Sequence, residues 1–428
     1  MASSPRSVTR VVAPSGLVVL AERMPECPTA TVVLSVLAGT RREPRGLEGL
    51  ATLTADALLE GAAGRGAEEL AWAIDSVGAS VDVLTGYEAG RIVATCLGES
   101  VPDIIRLVAD VAYRPGFAES AVERSRRRLL REIEEEQDDP YTVSQRALFR
   151  LVFGDHPRGR AGIGTTEGVS ACGVEDVRAF HGSRFRPDTS VLSVAGRFDV
   201  DAVLRAAEAL VAPAGEHEET AIPEPSPLPP ASELVPREGE QAHLAIGTTG
   251  IRRTDPLYIP AALLDVIFGD SAGFASRLAA RLREGDGLAY LVEGDVVGTS
   301  GVDPGLVWIY TATSPDRSRE ALAAVEAEMR RASGGPPTAR ELRTAVAFLK
   351  GRRILERETA EARAASLVRM ERYDLGFDYD ERYPALLDAV TVEDVAEAAA
   401  RLLDVSRCSV VSVGPLDEPL PLPAEETL

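Results

Sequence analysis

Two kinds of hydrophobic pattern follow one another along the chain. In some stretches apolar residues form short unbroken or two-residue-periodic runs, which suit strands buried on one or both faces. These fall at residues 17–21, 31–38, 80–86, 92–96, 190–194, 242–247, 306–312 and 409–413. In others apolar residues recur every three or four positions, the period of a helix with one buried face. Those stretches predict helices at 46–59, 67–77, 101–113, 119–137, 142–152, 174–184, 255–268, 274–284, 317–332, 338–356, 360–375 and 392–403. Strands and helices do not alternate strictly. That order favours an α+β fold with largely antiparallel sheets packed by helices over a doubly wound parallel sheet.

The periodic pattern lapses over residues 213–236, PAGEHEETAIPEPSPLPPASELVP. Pro and Glu dominate here, and such a segment reads as an extended, semi-rigid linker. It divides the chain into an N-terminal half, 1–212, and a C-terminal half, 237–428, of nearly equal length. Halves of equal size invite a search for an internal repeat. Val174-Glu-Asp-Val177 recurs as Val392-Glu-Asp-Val395, an offset of 218 residues. At the same offset Gly196 meets Gly414, Phe198 meets Leu416 and Asp199 meets Asp417. Both segments read as a helix opening on an acidic turn, a short break, an apolar strand and then Gly. The acids suit the positive end of a helix dipole. Matching order and spacing over the whole segment make duplication the explanation, with two homologous halves.

Composition narrows the function. With 428 residues, 45% of them hydrophobic, the chain can bury more than one core. Its formal net charge of −21 leaves no basic excess to displace counterions from nucleic acid or to dock on anionic lipid. The ordinary role of such acidity is solubility. Residues 1–20 lack a basic stretch followed by an apolar core, so no secretory signal is expected there. No apolar run approaches the roughly 20 residues needed to span a bilayer. Cys27, Cys96, Cys172 and Cys408 are scattered without C-x-x-C spacing, as reduced core residues rather than a disulfide framework or metal site. The expected location is cytoplasmic. Lys350 is the only lysine against many arginines, a trait of coding composition that says nothing about mechanism.

Two segments carry candidate chemistry. The first, RGLEGLATLTADALLEGA from Arg45 to Ala62, resembles the metal-binding helix of the pitrilysin/insulinase metallopeptidases, among them the mitochondrial-processing-peptidase-like proteins. In that family Gly-Leu-Ala leads into H-x-x-E-H, two histidines on one helix face with a general-base Glu beside them. Aligning Gly49-Leu50-Ala51 and Gly61-Ala62 puts Thr52, Ala55 and Asp56 on those three positions. The family's third ligand corresponds to Glu132, which lies 76 residues beyond Asp56. A catalytic zinc takes three protein ligands and an open water position. Thr52 is a poor ligand, Ala55 moves no proton, and Asp56 with Glu132 offers two oxygens and no imidazole. The histidines, His156, His181, His217 and His243, show no ligand spacing. The resemblance thus implies no cofactor in this chain.

The second segment, SRLAARLREGDGLAY from Ser276 to Tyr290, resembles the S-R-L-x-x-x-L-R-E-x-x-G-L-A-Y segment of the family's C-terminal half. There an Arg and a Tyr seven residues apart bind the substrate backbone and the oxyanion of the tetrahedral intermediate. Arg283 and Tyr290 match at that spacing. A guanidinium and a phenol are suitable donors to charge developing on a carbonyl oxygen. Gly78-Ala-Ser-Val-Asp82 and Arg114-Pro-Gly-Phe-Ala-Glu119 extend the resemblance over nearly the whole chain.

The resemblance implies a clamshell subunit, inactive alone, that pairs as a heterodimer with an H-x-x-E-H-bearing homologue. Zinc would sit in the partner, and Arg283 and Tyr290 would act in trans on a peptide held between them. Two alternatives stand beside it. One is a structural or binding protein of the same fold with no peptidase role; the other is an unusual metal held by Asp56 and Glu132.

Overall fold

The computed structural model describes residues 8–160, 162–210, 221–226, 228–269, 276–285, 287–289 and 291–423. The chain divides into two compact units. Unit 1 comprises Met1–Glu134, Ala161–Ala221 and Arg353–Tyr379; unit 2 comprises Glu135–Arg160, Ile222–Arg352 and Asp380–Leu428. Both are α+β, as the order of elements predicts.

The main sheet of unit 1 has, among the described residues, six strands, β1 Val8–Val12, β2 Val18–Arg23, β3 Thr29–Val36, β4 Ser80–Thr85, β5 Gly90–Leu97 and β6 Ser190–Gly196. Their order across the sheet is β1-β2-β6-β3-β5-β4. Only β2 and β6 run parallel; the other neighbours are antiparallel. Central β3 is a nearly unbroken apolar run, buried from Ala30 to Val36, as a strand covered on both faces should be. Edge strand β4, Ser-Val-Asp-Val-Leu-Thr, alternates exposed and half-buried residues. Helices Val101–Tyr113 and Val200–Glu208 bury Ile104, Ile105, Val108, Val203 and Ala206 in the same core as Val32, Leu34 and Ile92.

Unit 2 has five strands, β7 Ser232–Pro236, β8 Ala242–Thr249, β9 Leu291–Asp295, β10 Leu306–Thr313 and β11 Ser409–Gly414, in the order β9-β10-β8-β11-β7. Here β11 and β7 are parallel and the rest antiparallel. This is the pattern of β4-β5-β3-β6-β2 in unit 1, strand for strand and direction for direction. The duplication read from the 218-residue offset is therefore present in the sheets. Gly196 and Gly414 end equivalent strands with φ of 124° and 147°, a region that favours glycine. A Cβ at either would lie 2.4 Å from the Thr29 carbonyl oxygen or 2.7 Å from that of Gln241.

Each unit also contains the helix that, by offset, belongs to the other half of the sequence. Helix Pro140–Phe153 packs on the unit 2 sheet, and its counterpart Ala360–Arg372 packs on β3 and β6 of unit 1. Asp139 starts the former by accepting from the Tyr141 and Thr142 amides at 3.2 and 3.1 Å, with Pro140 in the first turn. Tyr141 then meets Trp308 and Tyr310 edge-on, at 5.4 and 4.7 Å between ring centres, and donates to Glu293 Oε2 at 3.0 Å. The latter helix is fixed by charge. Arg363 Nε donates to Glu22 Oε2 at 2.6 Å with both side chains buried, and Arg372 donates to the Ser35 and Thr189 carbonyls at 2.9 and 2.8 Å.

Some elements escape the hydrophobic pattern. Strand β1, an edge strand, and β9, with Glu293 and Gly294 inside it, are too short or too polar to register. Strand β7 lies within the Pro/Glu-rich segment, whose last five residues thus pair with β11 instead of running free. Helices Thr166–Ala171, Val200–Glu208 and Tyr379–Asp388 are likewise absent from the pattern. The helix expected over 274–284 is described only from Arg277, and from Ala280 to Gly285 it widens into a π-turn.

Candidate functional site

The helix aligned with the family's metal-binding helix lies in unit 1 at Leu50–Leu58. Gly49 precedes it at φ 108°, where a Cβ would come within 2.4 Å of Val169 Cγ2. The helix has no Ser, Thr or Asp at its N-cap. Buried Glu43 replaces one, its Oε1 accepting from the Gly49 and Ala51 amides at 3.1 and 2.8 Å. Leu50, Leu53 and Leu58 anchor the helix in the core.

Within this frame Thr52 is 8% exposed, and its Oγ1 is buried with no hydrogen-bond partner among the described residues. Ala55 is buried and presents a methyl group. The Asp56 side chain is 24% exposed. Thr54, which shares the helix, turns its hydroxyl back to the Leu50 carbonyl at 2.7 Å.

Helix Glu119–Asp138 places Arg124, Arg128 and Glu132 at successive four-residue steps along one face. Arg128 Nη2 lies 3.3 Å from Asp56 Oδ2, and its Nη1 lies 4.0 Å from Glu60 Oε1. Arg124 Nη2 donates to Glu60 Oε2 at 2.6 Å. Burial pushes the Asp56 carboxyl above its ordinary pKa, Arg128 opposes that rise, and the charges of Glu132 and Glu60 add to it. Glu132 itself is exposed and forms no hydrogen bond or ion pair among the described residues.

These donors do not suit a catalytic zinc. Thr52 and Ala55 supply no imidazole and no base, and the Asp56 carboxylate has the Arg128 guanidinium 3.3 Å from its Oδ2. Among the described residues no three His, Cys, Asp or Glu side chains gather as a metal site. All four cysteines are free thiols; Cys96, Cys172 and Cys408 are buried, and burial raises their pKa values to about 11, 12 and 12.

The second candidate segment belongs to unit 2. Ser276 caps it, its Oγ accepting from the Ala279 amide at 3.3 Å, and Leu278 and Leu282 are buried. Arg277 donates to both oxygens of Glu341, at 2.7 and 3.0 Å, which holds that carboxyl down at about 2. Arg283 is half-buried in the π-turn. Tyr290 lies outside the described residues. The site side chains that the sequence pattern does not single out are Glu43, Glu60, Arg124 and Arg128. The paired four-residue spacings, Asp56 with Glu60 and Arg124 with Arg128, were the available signal.

Known proteins match along the length of the chain. Residues 18–166 match the family model described as insulinase, peptidase family M16, and residues 172–349 match that of the M16 inactive domain. An uncharacterized zinc protease of Mycobacterium leprae is 31% identical over 432 residues, covering 98% of this chain and 94% of its own length. The chain belongs to the insulinase family, peptidase family M16. It is a member that lacks the family's catalytic motif, with Thr52, Ala55 and Asp56 where H-x-x-E-H aligns. A probable mitochondrial-processing peptidase subunit beta of Schizosaccharomyces pombe is 28% identical over 279 residues, covering 63% of this chain and 61% of the relative. The crystal structure of an M16 inactive domain from Pseudomonas fluorescens has the same fold, with a TM-score of 0.88 over 95% of this chain and 98% of that one, at 24% identity.

Proposed function

We propose that this M16 protein is the non-catalytic subunit of a heterodimeric zinc metallopeptidase. A homologous partner bearing H-x-x-E-H holds the zinc, activates water and supplies the general base. This chain completes the chamber and lends Arg283 and Tyr290 to the partner's site. Arg283 binds the peptide backbone, and the Tyr290 hydroxyl donates to the oxyanion as the scissile carbonyl becomes tetrahedral. The substrate is a peptide, taken for turnover or for removal of a leader segment, and the complex works in the cytoplasm.

The observation that carries this reading is an asymmetry. The helix that should bind metal holds Thr52, Ala55 and an ion-paired Asp56, whereas the Ser276–Tyr290 segment keeps its family pattern in full. A protein relieved of all peptidase duty has no reason to keep the second after losing the first. The name of the Schizosaccharomyces pombe relative, a processing peptidase subunit, supports a division of labour between chains. Among the described residues no helix is long and apolar enough to cross a membrane.

Co-expression with an H-x-x-E-H homologue, followed by purification of the complex, tests the proposal. Peptide hydrolysis is expected only from the complex, with Arg283→Ala raising KM and lowering kcat. A chain that binds no such homologue and forms a stable homodimer points to the structural role instead.

A further inference from the structure

The metal position in unit 1 has lost its donors, but it has not lost its positive charge. Asp56 and Glu60 are carboxylates 24% and 17% exposed, sheltered enough to need compensation. We infer that Arg128, backed by Arg124, is the resident cation of this site and excludes a divalent metal from it. This inference concerns unit 1 alone and stands whether or not the chain serves a partner's active site.

Three observations carry it. Arg128 reaches both carboxylates, at 3.3 Å from Asp56 and 4.0 Å from Glu60, and Arg124 closes on Glu60 at 2.6 Å. Two guanidiniums thus balance two carboxylates, and the pairs link helix Glu119–Asp138 to the end of helix Leu50–Leu58. A metal in the family's register would sit beside position 56, where the fixed positive charge of Arg128 already lies 3.3 Å from the Asp56 carboxylate. Glu132, the remaining acid of this face, is exposed and contributes charge without closing a third pair. Thr52 Oγ1, buried and without a hydrogen-bond partner among the described residues, marks a polar position that takes no hydrogen bond from either guanidinium.

The consequence is specific. Restoring the three motif residues should restore metal binding only weakly, because Arg128 stays beside position 56 and repels the ion. The full-length chain carrying Thr52→His, Ala55→Glu and Asp56→His is compared with the same protein carrying Arg128→Met as well, by zinc titration against a competing chelator. The wild-type chain is expected to take up no stoichiometric zinc. The triple variant is expected to bind about 100-fold more weakly than the quadruple variant, from like-charge repulsion near the ion. Equal zinc affinity in the triple and quadruple variants overturns the inference. Because the multiple variants can fail to fold, single variants in the wild-type background give an independent reading. Arg128→Met is expected to lower Tm by about 2–4 °C, with Arg128→Lys restoring most of the loss. An unchanged Tm in Arg128→Met also overturns it.

Discussion

Units 1 and 2 share a five-strand pattern, β4-β5-β3-β6-β2 in one and β9-β10-β8-β11-β7 in the other, with the same directions throughout. Each has a helix from the opposite half of the sequence packed on its sheet, yet the two helices are attached by different physics. On unit 1 the attachment is ionic, through the buried Glu22–Arg363 pair and the Arg372 bonds to two carbonyls. On unit 2 it is mainly aromatic and apolar, through Tyr141 against Trp308 and Tyr310 and through buried Leu148, with a solvent-exposed ion pair, Arg150 to Glu233, at the sheet edge. Duplication preserved where the backbone goes and left the side chains that secure it free to diverge. The candidate chemistry is unequal too: the sequence has Thr52, Ala55 and Asp56 in the register of H-x-x-E-H, and an Arg and a Tyr seven residues apart at 283 and 290.

The ionic attachment offers the sharpest way to break the comparison. Arg363→Ala takes the guanidinium away from the buried Glu22 carboxylate, which should cost about 3–5 kcal/mol. Glu22→Leu combined with Arg363→Met should recover most of that loss, since replacing both partners with apolar groups is often neutral. Chemical denaturation of the single and double variants measures both values. In unit 2 the corresponding change, Tyr141→Ala, removes packing and one hydrogen bond from a half-buried ring. The expected loss is smaller, about 2 kcal/mol, and should not depend on ionic strength.

Acid sharpens the contrast further. The Glu341 carboxyl, held at about 2 by Arg277, lies below its ordinary value of 4.5. A depressed carboxyl contributes stability that is fully present above 4.5 and is lost as pH falls from 4.5 towards 2. The Glu341 side chain is 30% exposed, so screening should keep the contribution under about 1 kcal/mol. Arg277→Ala should flatten stability across that window, as read from denaturation midpoints. Asp56 runs the other way. Its carboxyl is raised, so its charged form is disfavoured by folding, and stability is lost as pH rises through its folded pKa. Asp56→Asn should therefore leave neutral-pH stability within about 0.5 kcal/mol of the wild type, and should spare the Arg128→Met variant part of its loss.

Much of this was legible in the sequence, for physical reasons that can be named. Strands such as β3 and β10 declare themselves because both faces are buried and every position is apolar or small. The repeat shows because Gly196 and Gly414 stand where a side chain would strike a neighbouring backbone. Strand β7 stayed hidden because its partner β11 lies far along the chain and its own composition says linker. The exchange of helices was also hidden, since amphipathic spacing announces a buried face without saying which sheet buries it. At the candidate site, register alone put Thr52, Ala55 and Asp56 on the metal positions. The role of Arg128 needed the facing of two helices, which four-residue spacing suggests and only three-dimensional packing decides.

The proposed division of labour is tested most directly at Tyr290. In a purified complex with an H-x-x-E-H homologue, with its composition verified, Tyr290→Phe removes one hydroxyl and little else. The expected result is a fall in kcat of about 100-fold with KM nearly unchanged, the signature of a donor used chiefly in the transition state. An unchanged kcat would contradict the trans-acting role of this chain.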